Sequence, residues 1–155
     1  MAFDVKVNLK RKFEAPCSID KVFEVLSDVP YSVSHFPKVE ELSEIDDNTF
    51  KWEMEKIGID KYYLQTVYAC EYTSNEAEGW VKWAPVEGVG NGLVEGGWEL
   101  SEKDGTTEIS FKTKGVMSIN LSRLVKMVVS PFAVREFETL IDQYIDNLQE
   151  TFSDL

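Results

Sequence analysis

The chain has 155 residues, of which 43% are hydrophobic and 12% aromatic, so it is long enough to bury one substantial core and too apolar for a disordered segment. Its 28 acidic and 16 basic residues leave a net charge of −12, which repels the phosphate backbone and argues against nucleic-acid partners and anionic membrane surfaces. No apolar run reaches the length of a membrane span, and the N-terminus alternates from the start without the apolar stretch of a signal peptide. Cys17 and Cys70 lack any CxxC spacing or His partners, as expected of reduced, structural thiols. A soluble cytoplasmic protein, one domain over residues 1–155 with no integral membrane segment, is the expectation.

The first strand is predicted over Phe3–Glu14, where Phe3, Val5, Val7, Leu9 and Phe13 alternate with polar residues. Arg11 falls on the apolar side of this alternation, either at a strand edge or reaching into a pocket. Ala15-Pro16-Cys17-Ser18 ends the strand, and Ser18 is placed to cap a short helix carrying Val22, Phe23, Val25 and Leu26. Pro30 opens a second short helical segment that Pro37 stops.

Strands then follow in series. Val39–Asp46 and Phe50–Met54 flank an Asp47-Asn48 turn, with Gly58 closing the hairpin arm. A long aromatic strand is predicted over Tyr62–Tyr72, another over Ala77–Val86, and a flexible loop over Glu87–Gly92. Leu93–Ser101 carries Gly96-Gly97, read as a bulge that bends the sheet. Lys103-Asp104-Gly105 turns into the last strand, Thr106–Met117.

The chain closes on an amphipathic helix. From Ser130 to Phe152, Val134, Phe137, Ile141, Tyr144, Leu148 and Phe152 recur at steps of three and four and share one face. Apolar spacing continues back toward Ile119, so Pro131 either kinks one long helix or begins a second one capped by Ser130; the latter is favoured. The sum is an α+β chain: a curved antiparallel sheet of seven strands, two small helices after the first strand, and a long helix after the last.

This β-α-α-β6-α order resembles the START-like superfamily, also called Bet v 1-like or SRPBCC, with its helix-grip fold. The resemblance rests on the Phe13-Glu14-Ala15-Pro16 to Val22-Phe23-Glu24-Val25-Leu26-Ser27-Asp28 opening, the Tyr31–Val39 segment and the Asp104-Gly105-Thr106-Thr107 hairpin before the last strand and long helix. Lipid-transfer domains, polyketide cyclases and the CoxG-like proteins associated with carbon monoxide dehydrogenase share that fold. The resemblance implies an apolar cavity between sheet and helix but no shared catalytic residues.

The residues themselves offer little catalytic machinery. His35 is the sole histidine, and neither Ser32, Ser34 nor Cys17 sits in a nucleophile elbow. The acidic pairs Glu40-Glu41 and Asp46-Asp47 point to opposite strand faces or sit in a turn, and no metal-ligand spacing is present, so no catalytic residue, metal or cofactor is assigned. Gly88, Gly90 and Gly92 lack the following Lys-Ser/Thr and helix of a phosphate loop.

The aromatic set is more informative. Trp52, Tyr68, Trp83, Trp98 and Phe111 on the strands, with Phe132, Phe137 and Ile141 on the helix, are the candidate ligand-binding residues. Any one of them also serves as ordinary core. The leading expectation is binding or transport of a small hydrophobic ligand, lipid or polyketide-like, in that cavity. One alternative is a polyketide cyclase or dehydratase drawing on Arg11, Glu53, Tyr68 and Lys112 where these point inward; another is an interaction or assembly module of the CoxG or chaperone-activator kind. The oligomeric state is left open.

Overall fold

The computed structural model describes residues 3–155. Strand β1 (Phe3–Ala15) is followed by helices α1 (Ile19–Ser27) and α2 (Val29–Val33). Then come β2 (Val39–Asp46), β3 (Thr49–Met54), β4 (Ile57–Ile59), β5 (Tyr62–Leu64), β6 (Val67–Asn75), β7 (Trp80–Val86), β8 (Gly92–Lys103) and β9 (Thr106–Ile119). A 3-10 turn (Arg123–Val125) leads into α3 (Lys126–Ser153). Seven strands form one sheet in the order β1-β9-β8-β7-β6-β3-β2, each neighbouring pair antiparallel.

The inward alternation of these strands builds the core. Leu9, Phe50, Trp52, Met54, Tyr68, Cys70, Val81, Val94, Trp98, Leu100, Ile109 and Phe111 are buried beneath α3, which contributes Leu140, Ile141, Tyr144, Ile145, Leu148 and Phe152. Strand period two and helix period three-to-four thus meet on one interface. Val134 and Phe137, expected on the buried stripe, are only half-buried.

Five expectations need correction. The long strand expected over Tyr62–Tyr72 is two elements: β5 pairs with β4 in a separate hairpin, and β6 joins the main sheet. Gly58 therefore sits inside β4, not at the end of a hairpin arm. Pro131 lies inside one continuous α3 instead of starting a second helix. As the sixth residue of α3, Pro131 forfeits the bond to the Met127 carbonyl and crowds that group, a cost offset by the packing of the later turns against the sheet. Ser18 occupies the α1 N-cap, but its side chain makes no capping bond; the Ile19 N–H donates to Glu102 Oε1 at 2.6 Å instead.

Gly96-Gly97 is the fifth. Register runs unbroken through both glycines against β7 and β9, so there is no bulge; register shifts occur instead in β2, at Val39/Glu41 and Glu44/Asp46. What Gly96 supplies is clearance. A Cβ there would stand 2.3 Å from the Lys112 carbonyl oxygen and 2.8 Å from the Trp83 indole. Gly96→Ala is expected to lower stability by about 1–3 kcal/mol through overpacking, read as a lower midpoint in urea at unchanged slope.

Candidate functional site

The bent sheet and α3 enclose an aromatic cluster. Trp52 stacks on Tyr68 with centroids 5.4 Å apart and planes 18° from parallel. Phe36, from the end of the α2 segment, meets Trp52 edge-on at 5.3 Å and Tyr144 of α3 at 4.9 Å. Trp98 packs against Phe111 at 4.6 Å and Tyr144 at 5.9 Å, and Trp83 lies 5.9 Å from Phe111.

Two small chambers remain inside this packing. The first, about 40 Å³, is lined by Trp52, Tyr68, Trp83, Trp98, Phe111, Phe137 and Ile141, seven of the eight residues expected from sequence. Phe132 belongs instead to the second, about 50 Å³, with Met54, Leu64, Met117 and Leu140. Phe36, Tyr68 and Phe137 line both and so form the partition between them. Each chamber has room for little more than a water or two, well below the several hundred cubic ångströms of an ordinary small-molecule site. A larger guest must displace side chains.

The first chamber has polar features that sequence reasoning missed. Ser32 and Tyr144 are both buried, and their hydroxyls are 2.5 Å apart. Tyr144 was legible only as one more position in the helical stripe, and Ser32 sits on a helix too short to show a face. Tyr72 and Cys70 join Tyr68 in the lining by the simple alternation of β6. Trp52 Nε1 is buried and has no hydrogen-bond partner. The nearby indole does stabilise the Tyr72 phenolate somewhat, yet no well-formed bond joins the two groups. Desolvation dominates the titration of this interior: it holds the Tyr68, Tyr72 and Tyr144 hydroxyls far toward their neutral forms and pushes the Cys70 thiol up to about 12. At neutral pH these are hydrogen-bond donors and not bases.

The polar residues weighed for catalysis are mostly elsewhere. β1 is an edge strand, and Arg11 reaches across to the flank of α3, donating from Nε to Asp142 at 2.7 Å with Glu138 at 4.0 Å. Glu53 pairs with Lys51 on the outer face, and Lys112 projects outward from β9. Only Tyr68 lines the chamber. His35 ties elements together: Nδ1 faces the Tyr31 and Ser32 carbonyls at 2.9 and 3.1 Å, so it carries the proton, and Nε2 accepts from Thr151 Oγ1 at 2.7 Å. Asn147 donates to the His35 carbonyl at 2.9 Å, completing a clamp between the α2 segment and α3. Among the described residues no His, Cys, Asp or Glu cluster could hold a metal ion.

No family model matches the chain, and no curated protein matches it in sequence. Solved structures do match in fold. The ZhuI aromatase/cyclase from Streptomyces sp. R1128 is 13% identical, covers 96% of this chain and 92% of its own, and superposes with a TM-score of 0.62. A conserved protein from Geobacillus kaustophilus is 17% identical over 95% of each chain with a TM-score of 0.65. The fold is the helix grip, an antiparallel seven-stranded sheet closed by the long α3. The di-domain aromatase/cyclase StfQ of the steffimycin biosynthetic pathway shares it at 9% identity and a TM-score of 0.59, this chain spanning 51% of that one. At such identities the helix grip carries over as architecture, without a reaction or a ligand.

Proposed function

We propose that this helix-grip protein binds a small, largely apolar molecule between its sheet and α3. The observation that carries the reading is the unpartnered Trp52 Nε1, buried in an aromatic chamber beside the Ser32–Tyr144 pair. An orphaned buried donor costs free energy that an acceptor on a guest would recover. Apolar walls with a few fixed polar groups are the usual composition of a small-molecule site. The favoured guest is flat and aromatic or polyunsaturated, with an oxygen acceptor at one end.

Entry requires the partition to move. Phe137 is half-buried, so its displacement exposes less new apolar surface than that of a fully enclosed neighbour. Phe137→Ala is expected to join the chambers and to raise binding of a bulky fluorescent apolar probe by about tenfold or more, measured by titration on the folded variant. Native mass spectrometry of freshly purified protein tests the reading itself. A co-purifying compound that is lost in Trp52→Phe supports it. Absence of any bound compound, together with no uptake from a panel of apolar aromatics, would overturn it.

A second reading, polyketide cyclisation, is favoured by one feature: three neutral tyrosine hydroxyls line or border the same chamber and could polarise a carbonyl. It lacks a base there, because the chamber's ionisable groups are phenols and a thiol held neutral by burial. Turnover of a poly-β-ketone substrate that Tyr144→Phe abolishes without loss of binding would favour it over simple carriage.

A further inference from the structure

Charge along α3 is sharply divided. From Leu121 to Arg135 the chain carries Arg123, Lys126 and Arg135 and no acidic residue. From Glu136 to Leu155 it carries Glu136, Glu138, Asp142, Asp146, Glu150 and Asp154 and no basic one. In a chain of net charge −12, the opening of the helix is therefore a local island of positive charge.

The same segment presents apolar surface to solvent. Leu124 is 92% exposed, Met127 88% and Val128 64%. Pro131 is exposed as well. Positions 127, 128 and 131 follow the three-and-four step of one face of α3, and the exposed Leu124 precedes them in the 3-10 turn. The opposite face of the segment is already occupied: Val129 and Ala133 are buried against Phe3, Val5, Leu64 and Ile119, with Leu121 and Val125 packed beside them. The outer stripe is thus a second apolar face, one that the fold leaves uncovered.

We infer that the 3-10 turn and first turns of α3 form a docking face for an anionic lipid bilayer. An apolar stripe flanked by Arg and Lys suits the interface between acyl chains and acidic headgroups, where the side chains insert and the cations meet the phosphates. The overall negative charge does not forbid this. Screening over about 8 Å at physiological ionic strength makes the charges at the contact decisive and mutes those at the far end of the helix. No described helix is long and apolar enough to cross a membrane, so the contact is peripheral.

The position of this face gives it a use. The next residues of α3, Phe132, Ala133 and Glu136, line the second chamber, together with Ile57 and Leu64 of the β4–β5 hairpin. A docked molecule would hold that chamber against the lipid and shorten the path of an apolar guest. This delivery role rests on the ligand-binding reading; the docking does not.

Vesicle co-sedimentation tests it, with phosphatidylcholine alone and phosphatidylcholine containing phosphatidylserine. Binding is expected to the mixed vesicles, at least about tenfold stronger than to the neutral ones. Leu124→Ser/Met127→Ser should abolish binding, and Arg123→Gln/Lys126→Gln should weaken it about tenfold and erase the lipid preference. These side chains are solvent-exposed, so unchanged circular dichroism and melting will show that both variants fold. No binding to mixed vesicles, or equal binding by the variants, overturns the proposal. A dimer in light scattering that the Leu124/Met127 variant dissolves, with no vesicle binding, assigns the face to a second copy and also overturns it. Because vesicle binding is read on the protein alone, an empty cavity would count against the ligand reading and leave this one standing.

Discussion

Raising the pH from 9 toward 12 is expected to unfold this protein steeply. Four groups of the same aromatic interior act together: Cys70, Tyr68 and Tyr144, which are buried, and Tyr72, which is half-buried. Burial raises each pKa in the folded protein, above the ordinary 9.0 for the thiol and 10.0 for the phenols. Below pH 9 both folded and unfolded chains hold these protons, and the full stabilisation is present. Above it the unfolded chain releases protons that the folded chain keeps, so stability falls as pH rises.

Each group in its window contributes a slope of about 1.4 kcal/mol per pH unit. For Cys70 alone, a shift from 9.0 to about 12 corresponds to an upper bound of about 4 kcal/mol lost by pH 12. Against a typical domain stability of about 5–15 kcal/mol, the thiol and phenols together suffice for unfolding. Charge repulsion in an acidic chain adds in the same direction but is screened by salt. Urea midpoints measured from pH 8 to 11.5 in high salt should retain the decline. Cys70→Ala should move its onset upward by about one pH unit, toward the phenol range. A flat stability profile to pH 11 would show that the aromatic interior is wetter than its packing indicates.

The interior that sets this behaviour was legible in sequence to an uneven degree. Alternation in β1, β3, β8 and β9 announces the inward faces directly, because polar residues mark the other side. Tyr62–Tyr72 reads as one strand because its aromatics and β-branched residues have the composition of one. Its division into β5 and β6 is tertiary: Gln65 Nε2 donates to the Met54 carbonyl, and Asn91 Oδ1 accepts from the Val67 N–H, anchoring the break from outside the segment. Gly96 signals a departure from ordinary strand geometry, but the clearance that Trp83 requires looks the same in sequence as a bulge.

The candidate site shows the same asymmetry. Seven of eight aromatic and aliphatic positions share one chamber because face alternation and the helical stripe are periodic. Phe132 falls in the other chamber, since a period predicts a face but not a depth along the helix. The Ser32–Tyr144 contact joins residues 112 positions apart and has no local signature. Arg11 shows what a broken alternation can mean: its place on the apolar side is resolved by edge-strand geometry, with Asp142 and Glu138 within reach.

Trp98→Ala is expected to lower stability by about 3–5 kcal/mol. Trp98 lies at the centre of the aromatic cluster, within 6.2 Å of the rings of Phe13, Trp83, Phe111 and Tyr144. Its partners belong to β1, β7, β9 and α3, so they cannot collapse together onto the vacated space without shifting the sheet or the helix. The result should be a dry cavity on the order of 100 Å³, enough for a small aromatic. Added indole should then restore stability, by about 2.7 kcal/mol at a hundredfold excess over its dissociation constant. Thermal melts with and without indole read this directly. A variant that loses stability without recovering it has repacked, which would mean that the cluster is softer than close-packed aromatic rings imply. The same titration on the unaltered protein carries the functional argument further. There, indole must first move Phe36, Tyr68 or Phe137, so the gap between the two affinities measures the cost of opening the chamber. A small gap is what an adaptable binding cavity requires; a large one would make these rings permanent core.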